Sequence, residues 1–370
     1  MTIAPGIVLA RIDEELRALW TTPAVAGEPL KSRACTMNLV VVAATPALAD
    51  PCVAFVDEVV KNVPARAIVV GLDPDGRDEL EASVSAVCAP DPGGRTIVCS
   101  ERVTLVARGA LCNRLSSCVQ AICATDVPTT LVWLARVHSD DPAFEPLARE
   151  ARRVVLDAGQ SSIASLSHAV RWARGRPEDE RPGIADLVWS RLASWQELCA
   201  RMFDPPRLRG LVRRVTRVSL LQACPTGAAL APEGALLLGW MATRLGWKTA
   251  SLAGKLRLVR PDGGYVQTQI KQQPVDWAPK GSLLGLELEA SADGLAILGE
   301  VVRQDAAQAA WRVRVSSDGE TQHLEQHIRL RPTGVALVLE RTLHRPPQDD
   351  ALADAAIWAD ELRGEELAGA

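Results

Sequence analysis

Apolar residues follow two regimes along this chain. Up to about residue 172, short unbroken apolar runs alternate with amphipathic stretches, whereas beyond about residue 252 short alternating segments take over. Residues 7–20 place Ile12, Leu16, Leu19 and Trp20 on one side of a short helix. Asn38 to Ala43 is a continuous apolar run, the mark of a strand covered on both faces. A helix rich in alanine and valine follows to about Lys61, and Pro64 to Gly71 supplies a second buried strand. Arg95 to Ala107 reads as one or two strands, 109–123 as a helix, 129–135 as a strand, 144–151 as a helix, 153–157 as a strand and 161–172 as a helix. Strands and helices alternating at these lengths predict an α/β domain, a parallel or mixed sheet flanked by helices.

The polar run from Arg174 to Gly183 reads as a linker, so the expected domains are 1–175 and 184–370. Residues 184–203 predict one helix, with Leu187, Arg191, Trp195, Leu198 and Met202 three or four apart and a hard stop at Asp204-Pro205-Pro206. Val215 to Leu221 reads as a strand, and Pro232 to Leu245 as a helix capped by Gly246. Segments 252–260, 264–272, 283–290, 294–302, 310–316, 321–330 and 335–343 are separated by turns such as Pro261-Asp-Gly-Gly264 and Ser317-Asp-Gly319. They predict an antiparallel meander inside a second, α+β domain that closes with a helix over 349–367.

A length of 370 residues suits two cores, and a net charge of −4 gives no global field for nucleic acid or an anionic membrane. No run of 18 apolar residues occurs and no basic segment leads into an apolar one near Met1, so the expected location is cytoplasmic. The nine cysteines (35, 52, 88, 99, 112, 118, 123, 199 and 224) contain no CxxC pair. Most of them read as buried free thiols in a reducing compartment, with a redox switch through a few of them as the alternative.

Catalytic signatures fail residue by residue. Val40-Val-Val-Ala-Ala-Thr-Pro46 leaves the first buried strand without the glycines that admit a pyrophosphate. Ser251-Leu-Ala-Gly-Lys255 lacks the leading glycine and the metal-binding hydroxyl of a P-loop, and no Gly-x-Ser-x-Gly elbow exists. His323, Glu325 and His327 share one face of a strand, which suits a metal or, more simply, solvent. His138 beside Asp140 and Asp141 offers an acid–base pair or an ordinary loop, and Asp73, Asp75 and Asp78 around Gly76 read as turn residues. A noncatalytic protein with no metal and no cofactor is the simpler reading. Arg207, Arg209, Arg213, Arg214 and Arg217 form either a solvated connector or an anion contact.

Several segments resemble the glucose-6-phosphate dehydrogenase assembly protein family, OpcA. The resemblance rests on Arg33-Ala-Cys-Thr-Met-Asn-Leu-Val-Val-Val42, Pro64-Ala-Arg-Ala-Ile-Val-Val70, Cys99-Ser-Glu-Arg-Val-Thr-Leu105 and Asp126-Val-Pro-Thr-Thr-Leu-Val-Trp133. It continues through Val154-Val-Leu-Asp157 and Asp186-Leu-Val-Trp-Ser-Arg-Leu-Ala-Ser-Trp-Gln-Glu-Leu198, then Phe203-Asp204, Trp240 and Leu245-Gly-Trp247. The strand around Trp133 departs from the family in lacking further aromatics.

The resemblance implies a protein that promotes assembly or activity of glucose-6-phosphate dehydrogenase without doing chemistry itself, and some cyanobacterial members add thiol-dependent control. The candidate partner-binding residues are Arg33, Trp133, Trp189, Arg191, Trp195, Phe203, Trp240 and Trp247, because aromatic and arginine side chains anchor interfaces as well as cores. Two other readings stay open: an enzyme or sensor of sugar phosphates using Arg33, Arg66 and the 207–217 arginines, and a thiol-responsive scaffold.

Overall fold

The computed structural model describes residues 5–21, 30–90, 96–138, 142–225, 229–252, 255–331 and 333–362. Its contacts divide the chain into two compact units, Met1–Leu187 with Gly334–Asp349, and Val188–Thr333 with Asp350–Ala370.

The first unit runs α1 (Pro5–Thr21), β1 (Leu30–Arg33), β2 (Asn38–Ala43), α2 (Ala49–Asn62), β3 (Arg66–Asp73), β4 (Glu79–Pro90), β5 (Thr96–Arg108), α3 (Leu115–Ile122), β6 (Thr129–Trp133), α4 (Phe144–Glu150), β7 (Arg153–Leu156), α5 (Ile163–Arg174) and β8 (Gly183–Asp186). Strand order is β1-β5-β3-β2-β6-β7-β8, parallel throughout, with β4 antiparallel on β5. The apolar run of β2 has the reason expected for it. Leu39 and Val41 join a core cluster with Val56 and Val59 of α2, while Val40 and Val42 point to the opposite face and are equally buried.

The second unit contains α6 (Leu187–Arg191), α7 (Ala193–Arg201), β9 (Val215–Gln222), α8 (Pro232–Leu245), β10 (Lys248–Leu252), β11 (Lys255–Val259), β12 (Tyr265–Gln272), β13 (Leu283–Ala292), β14 (Leu295–Arg303), β15 (Gln308–Ser317) and β16 (Glu320–Arg329). The strands make one sheet in the order β10-β11-β12-β9-β13-β14-β15-β16, and α7, against β14 and β15, and α8, against β9, lie on one face of it. Trp311 Nε1 on β15 donates to the Leu198 carbonyl of α7 at 3.1 Å, and the Met202 sulfur fills the space left by Gly299 on β14. The chain then forms α9 (Val335–Leu343), which returns to the first unit, and α10 (Asp350–Glu361), which packs on α8. Any side chain at Gly239 of α8 would strike the Ala355 carbonyl of α10, its Cβ falling 2.6 Å away.

Three expectations need correction. Residues 184–203 are not one helix: Gly183–Asp186 pairs with β7 as a strand, and the helical part breaks at Leu192 into α6 and α7. Segment 335–343 is the helix α9 rather than a strand, because Val338, Leu339, Thr342 and Leu343, three and four apart, are its buried stripe. The second sheet is mixed rather than a pure meander, since β9 enters its middle parallel to β12. Cys88 and Cys99, directly opposite each other on β4 and β5, form a disulfide, a pairing that the spacing of the cysteines does not mark. The end of the expected 349–367 helix lies outside the described residues.

Candidate functional site

The order of the first sheet reverses between β2 and β6. Chain order runs outward through β3 and β5 on one side, and through β6, β7 and β8 on the other. This is the order of a doubly wound dinucleotide-binding sheet, whose ligand crevice lies outside the carboxyl ends of the strands at the reversal. A cleft of about 440 Å³ occupies that place here, lined by Ala43, Ala44, Leu48, Phe55, Leu134 and Val335 among others. Its polar lining is Glu58 and Gln160, and no arginine or lysine contributes.

The turn that would cradle a pyrophosphate has been rebuilt. Pro46 begins a short 3₁₀ turn, has no N–H to offer, and packs so tightly on β3 that a Cβ at Gly71 would lie 2.8 Å from its Cα. The first turn of α2 carries Asp50, which sets a negative charge where a helix N-terminus would attract an anion. At the tip of β3, Asp73 pairs with Arg108 at 3.4 Å. The carboxylates at the ends of β7 and β8 serve the backbone: Asp157 accepts from the Gly159 amide and Asp186 from the Ala158 amide. These residues do not fit a dinucleotide.

The arginines proposed for a phosphate are engaged elsewhere. Glu101, whose side chain is 2% exposed, accepts from Trp20 Nε1 at 2.7 Å, from Arg66 Nε at 2.7 Å and from Arg33 at 2.9 and 3.1 Å. Arg66 also donates to the Ile122 carbonyl. A buried carboxylate with these three donors is a structural hub. The 207–217 arginines do not converge: Arg207 bonds Gln322, Arg209 the Asp204 carbonyl, Arg214 Asp262, and Arg217 Glu287 and Glu289. Among the described residues no group of three His, Cys, Asp or Glu side chains is placed to hold a metal ion, and Asp140 and Asp141 lie outside those residues.

The remaining candidates scatter over both units. Trp133 is 1% exposed and meets Phe144 edge to face at 5.3 Å in the first core. Trp189, Trp195, Phe203 and Trp247 are buried in the second unit, Arg191 pairs with Glu233 at 3.5 Å, and Trp240 is half-buried on α8. Arg33 keeps 45% of its side chain exposed. Burial pushes the Cys52 thiol up to about 11 and the Cys199 thiol to about 12, so neither supplies a thiolate at neutral pH.

Fold and site together define a protein with a dinucleotide-binding sheet whose crevice lacks the phosphate cradle. Residues 56–171 match the domain described as glucose-6-phosphate dehydrogenase subunit N-terminal domain, and residues 182–356 its C-terminal counterpart. The chain belongs to the OpcA family. A Nostoc punctiforme protein described as OxPP cycle protein OpcA is 29% identical over 245 residues, covering 62% of this chain and 49% of its own length. A protein of the same description from Synechocystis is 24% identical over 245 residues, 62% of this chain and 48% of its own. The chain thus spans about half the length of the curated relatives it matches. In fold it is similar to glucose-6-phosphate 1-dehydrogenase from Mycobacterium avium, with a TM-score of 0.51, 10% identity, and coverage of 90% of this chain and 93% of that one.

Proposed function

We propose that this chain is a noncatalytic, cytoplasmic subunit that binds glucose-6-phosphate dehydrogenase and favours its active oligomer. The observation that carries the reading is the rebuilt crevice: a dinucleotide-type strand order in which Pro46, Asp50 and the apolar lining stand where a cofactor's phosphates would need donors. A family described as a dehydrogenase subunit, in a chain built this way, suits a regulatory rather than a catalytic part. The mechanism is linkage, in which preferential affinity for one oligomer or conformation of the enzyme shifts the population toward it, whereas equal affinity shifts nothing. Of the residues singled out, Arg33 and Trp240 have surface to offer a partner. Trp133, Trp189, Trp195, Phe203 and Trp247 act by holding the two cores in shape.

The test is to titrate the purified chain into the cognate dehydrogenase while following activity and the mass of the complex. We expect a heavier complex with higher activity, and no saturable binding of NADP by the chain alone. The absence of both a complex and an activity change refutes the assembly role. Adding a reductant to a parallel titration addresses the thiol-responsive alternative, for which Cys88–Cys99 is the pair to watch.

A further inference from the structure

The second sheet has one covered face and one open face. On β13, Leu286, Leu288 and Ala290 point toward the helices and are buried, while Glu287 and Glu289 point away and are partly exposed. The strand registers carry that outward face across the unit. Ser219, Glu287, Glu300, Arg312 and Glu325 stand side by side in one row. Arg217, Glu289, Leu298, Arg314 and His323 make the next.

Charge on this face is banded by strand. Arg217 on β9 bridges Glu287 and Glu289 on β13, and Arg312 on β15 bridges Glu300 on β14 at 3.6 Å and Glu325 on β16 at 2.9 Å. Basic Arg217 on β9, acidic Glu287, Glu289 and Glu300 on β13 and β14, and basic Arg312 and Arg314 on β15 follow one another, while β16 mixes Glu325 with His323, His327 and Arg329, and Leu298 is an apolar point between Glu289 and Arg314. A hollow of about 90 Å³ lies beside Leu298, Arg314 and His323. Arg312 and Glu325 keep 47% and 51% of their side chains exposed.

Eight strands of 5 to 10 residues, about 4.8 Å apart, give a face of roughly 1,000 Å², comparable to the roughly 800 Å² per partner of a stable complex. A helix laid along the strands would cover only about two of them. An occupant that matches all of them must itself be broad and banded, as a second eight-stranded sheet is. The proposed partner class has this same fold in the Mycobacterium avium enzyme. When two chains share one fold, like surfaces can meet in a pseudo-twofold pair.

We propose that the open face of the second sheet is the surface on which the dehydrogenase chain docks, sheet against sheet. The proposal rests on the assembly reading above. Banded ion pairs set the register of the two sheets, and Leu298 supplies the dry centre inside a charged rim.

The test uses the full chain and the cognate dehydrogenase. Leu298→Lys and Arg314→Glu alter the open face, and Lys61→Glu, on an exposed position of α2, is the control. Binding is read by sedimentation at two salt concentrations, and folding by circular dichroism melts. Each face variant is expected to weaken binding by about tenfold or more, Lys61→Glu to leave it unchanged, and wild-type affinity to fall with salt. Should Leu298→Lys fold poorly, the exposed Arg314→Glu carries the test alone. Wild-type binding with undiminished binding by both face variants overturns the surface while the assembly role stands. Failure of the wild type to bind overturns both. Loss of a homodimer in the face variants, with dehydrogenase binding intact, makes a second copy of this chain the occupant and also overturns the proposal.

Discussion

Removing the Arg153 guanidinium should release α9 from the first unit. Arg153 begins β7 and is 7% exposed, yet its charge faces no carboxylate in any ion pair of the described residues. Its Nη1 donates to the carbonyls of Thr342 at 2.8 Å and Leu343 at 2.9 Å, and its Nη2 donates to that of Arg345. These groups end α9, where unpaired carbonyls and the negative pole of the helix dipole gather. Burial, with Arg152 nearby, lowers the pKa of Arg153 from its ordinary value, the mark of a desolvated charge that its acceptors must offset. Three bonds to a charged donor are worth ~1.5–3 kcal/mol each, but Arg153→Met also removes a buried charge costing several kcal/mol. The balance is a loss of about 3 kcal/mol, in line with ~1–3 kcal/mol for each buried carbonyl left without its donor. At about 2–4 °C per kcal/mol for a unit of this size, the melting temperature should fall by about 6–12 °C. Hydrogen exchange over 335–343 should rise before the rest of the unit opens. Arg153→Lys, which presents a point charge in place of a fork, should recover only part of the loss. A melting temperature within about 1 °C of wild type, with unchanged exchange in α9, would refute this reasoning.

Much of the fold was legible because its cause is local. The unbroken apolar run of β2 and the bounds of α8, with Pro232 at its start and Gly246 at φ +69 behind its end, follow from neighbours in sequence. What failed was set by partners far along the chain. Gly183–Asp186 is a strand because β7 lies beside it, and Val335–Leu343 carries apolar residues dense enough to suit strand or helix until α2 selects the helical stripe. The Cys88–Cys99 bond was invisible because β4 went unread, so no register brought the two together. The missing phosphate cradle was readable in Ala43 to Pro46, but the crevice it would have served depends on strand order, a property no local pattern carries. Trp195 on a three-and-four stripe was read as anchor or core, and its burial to 5% exposure follows from the sheet that packs against α7, which the stripe alone does not reveal. The open face went unread: the alternation Leu286-Glu-Leu-Glu289 puts a polar side on β13, but the succession of charges across the strands exists only once β14 and β15 are in register.

Two further outcomes follow from the titrating groups. At pH 8 an ordinary thiol is about one-quarter ionised, whereas Cys52, pushed up to about 11 by burial, is ionised about one part in a thousand, so its alkylation by iodoacetamide should be a few hundred times slower. Peptide mapping that finds Cys52 or Cys199 labelled in the native chain at the rate of a free thiol would show that their burial is wrong. Asp262 in the turn between β11 and β12 is lowered from 3.8 to about 2, chiefly by its hydrogen bond from Arg260, then by the Gly264 amide, with Arg214 adding to it. A depressed carboxylate stabilises the fold fully above its unfolded value and loses that contribution as pH falls through the folded one. Asp262→Asn should therefore melt below wild type at neutral pH, and the two curves should converge as pH drops from about 4 toward about 2. A gap between them that stays constant over that window would mean that Asp262 holds the turn by shape and not by charge.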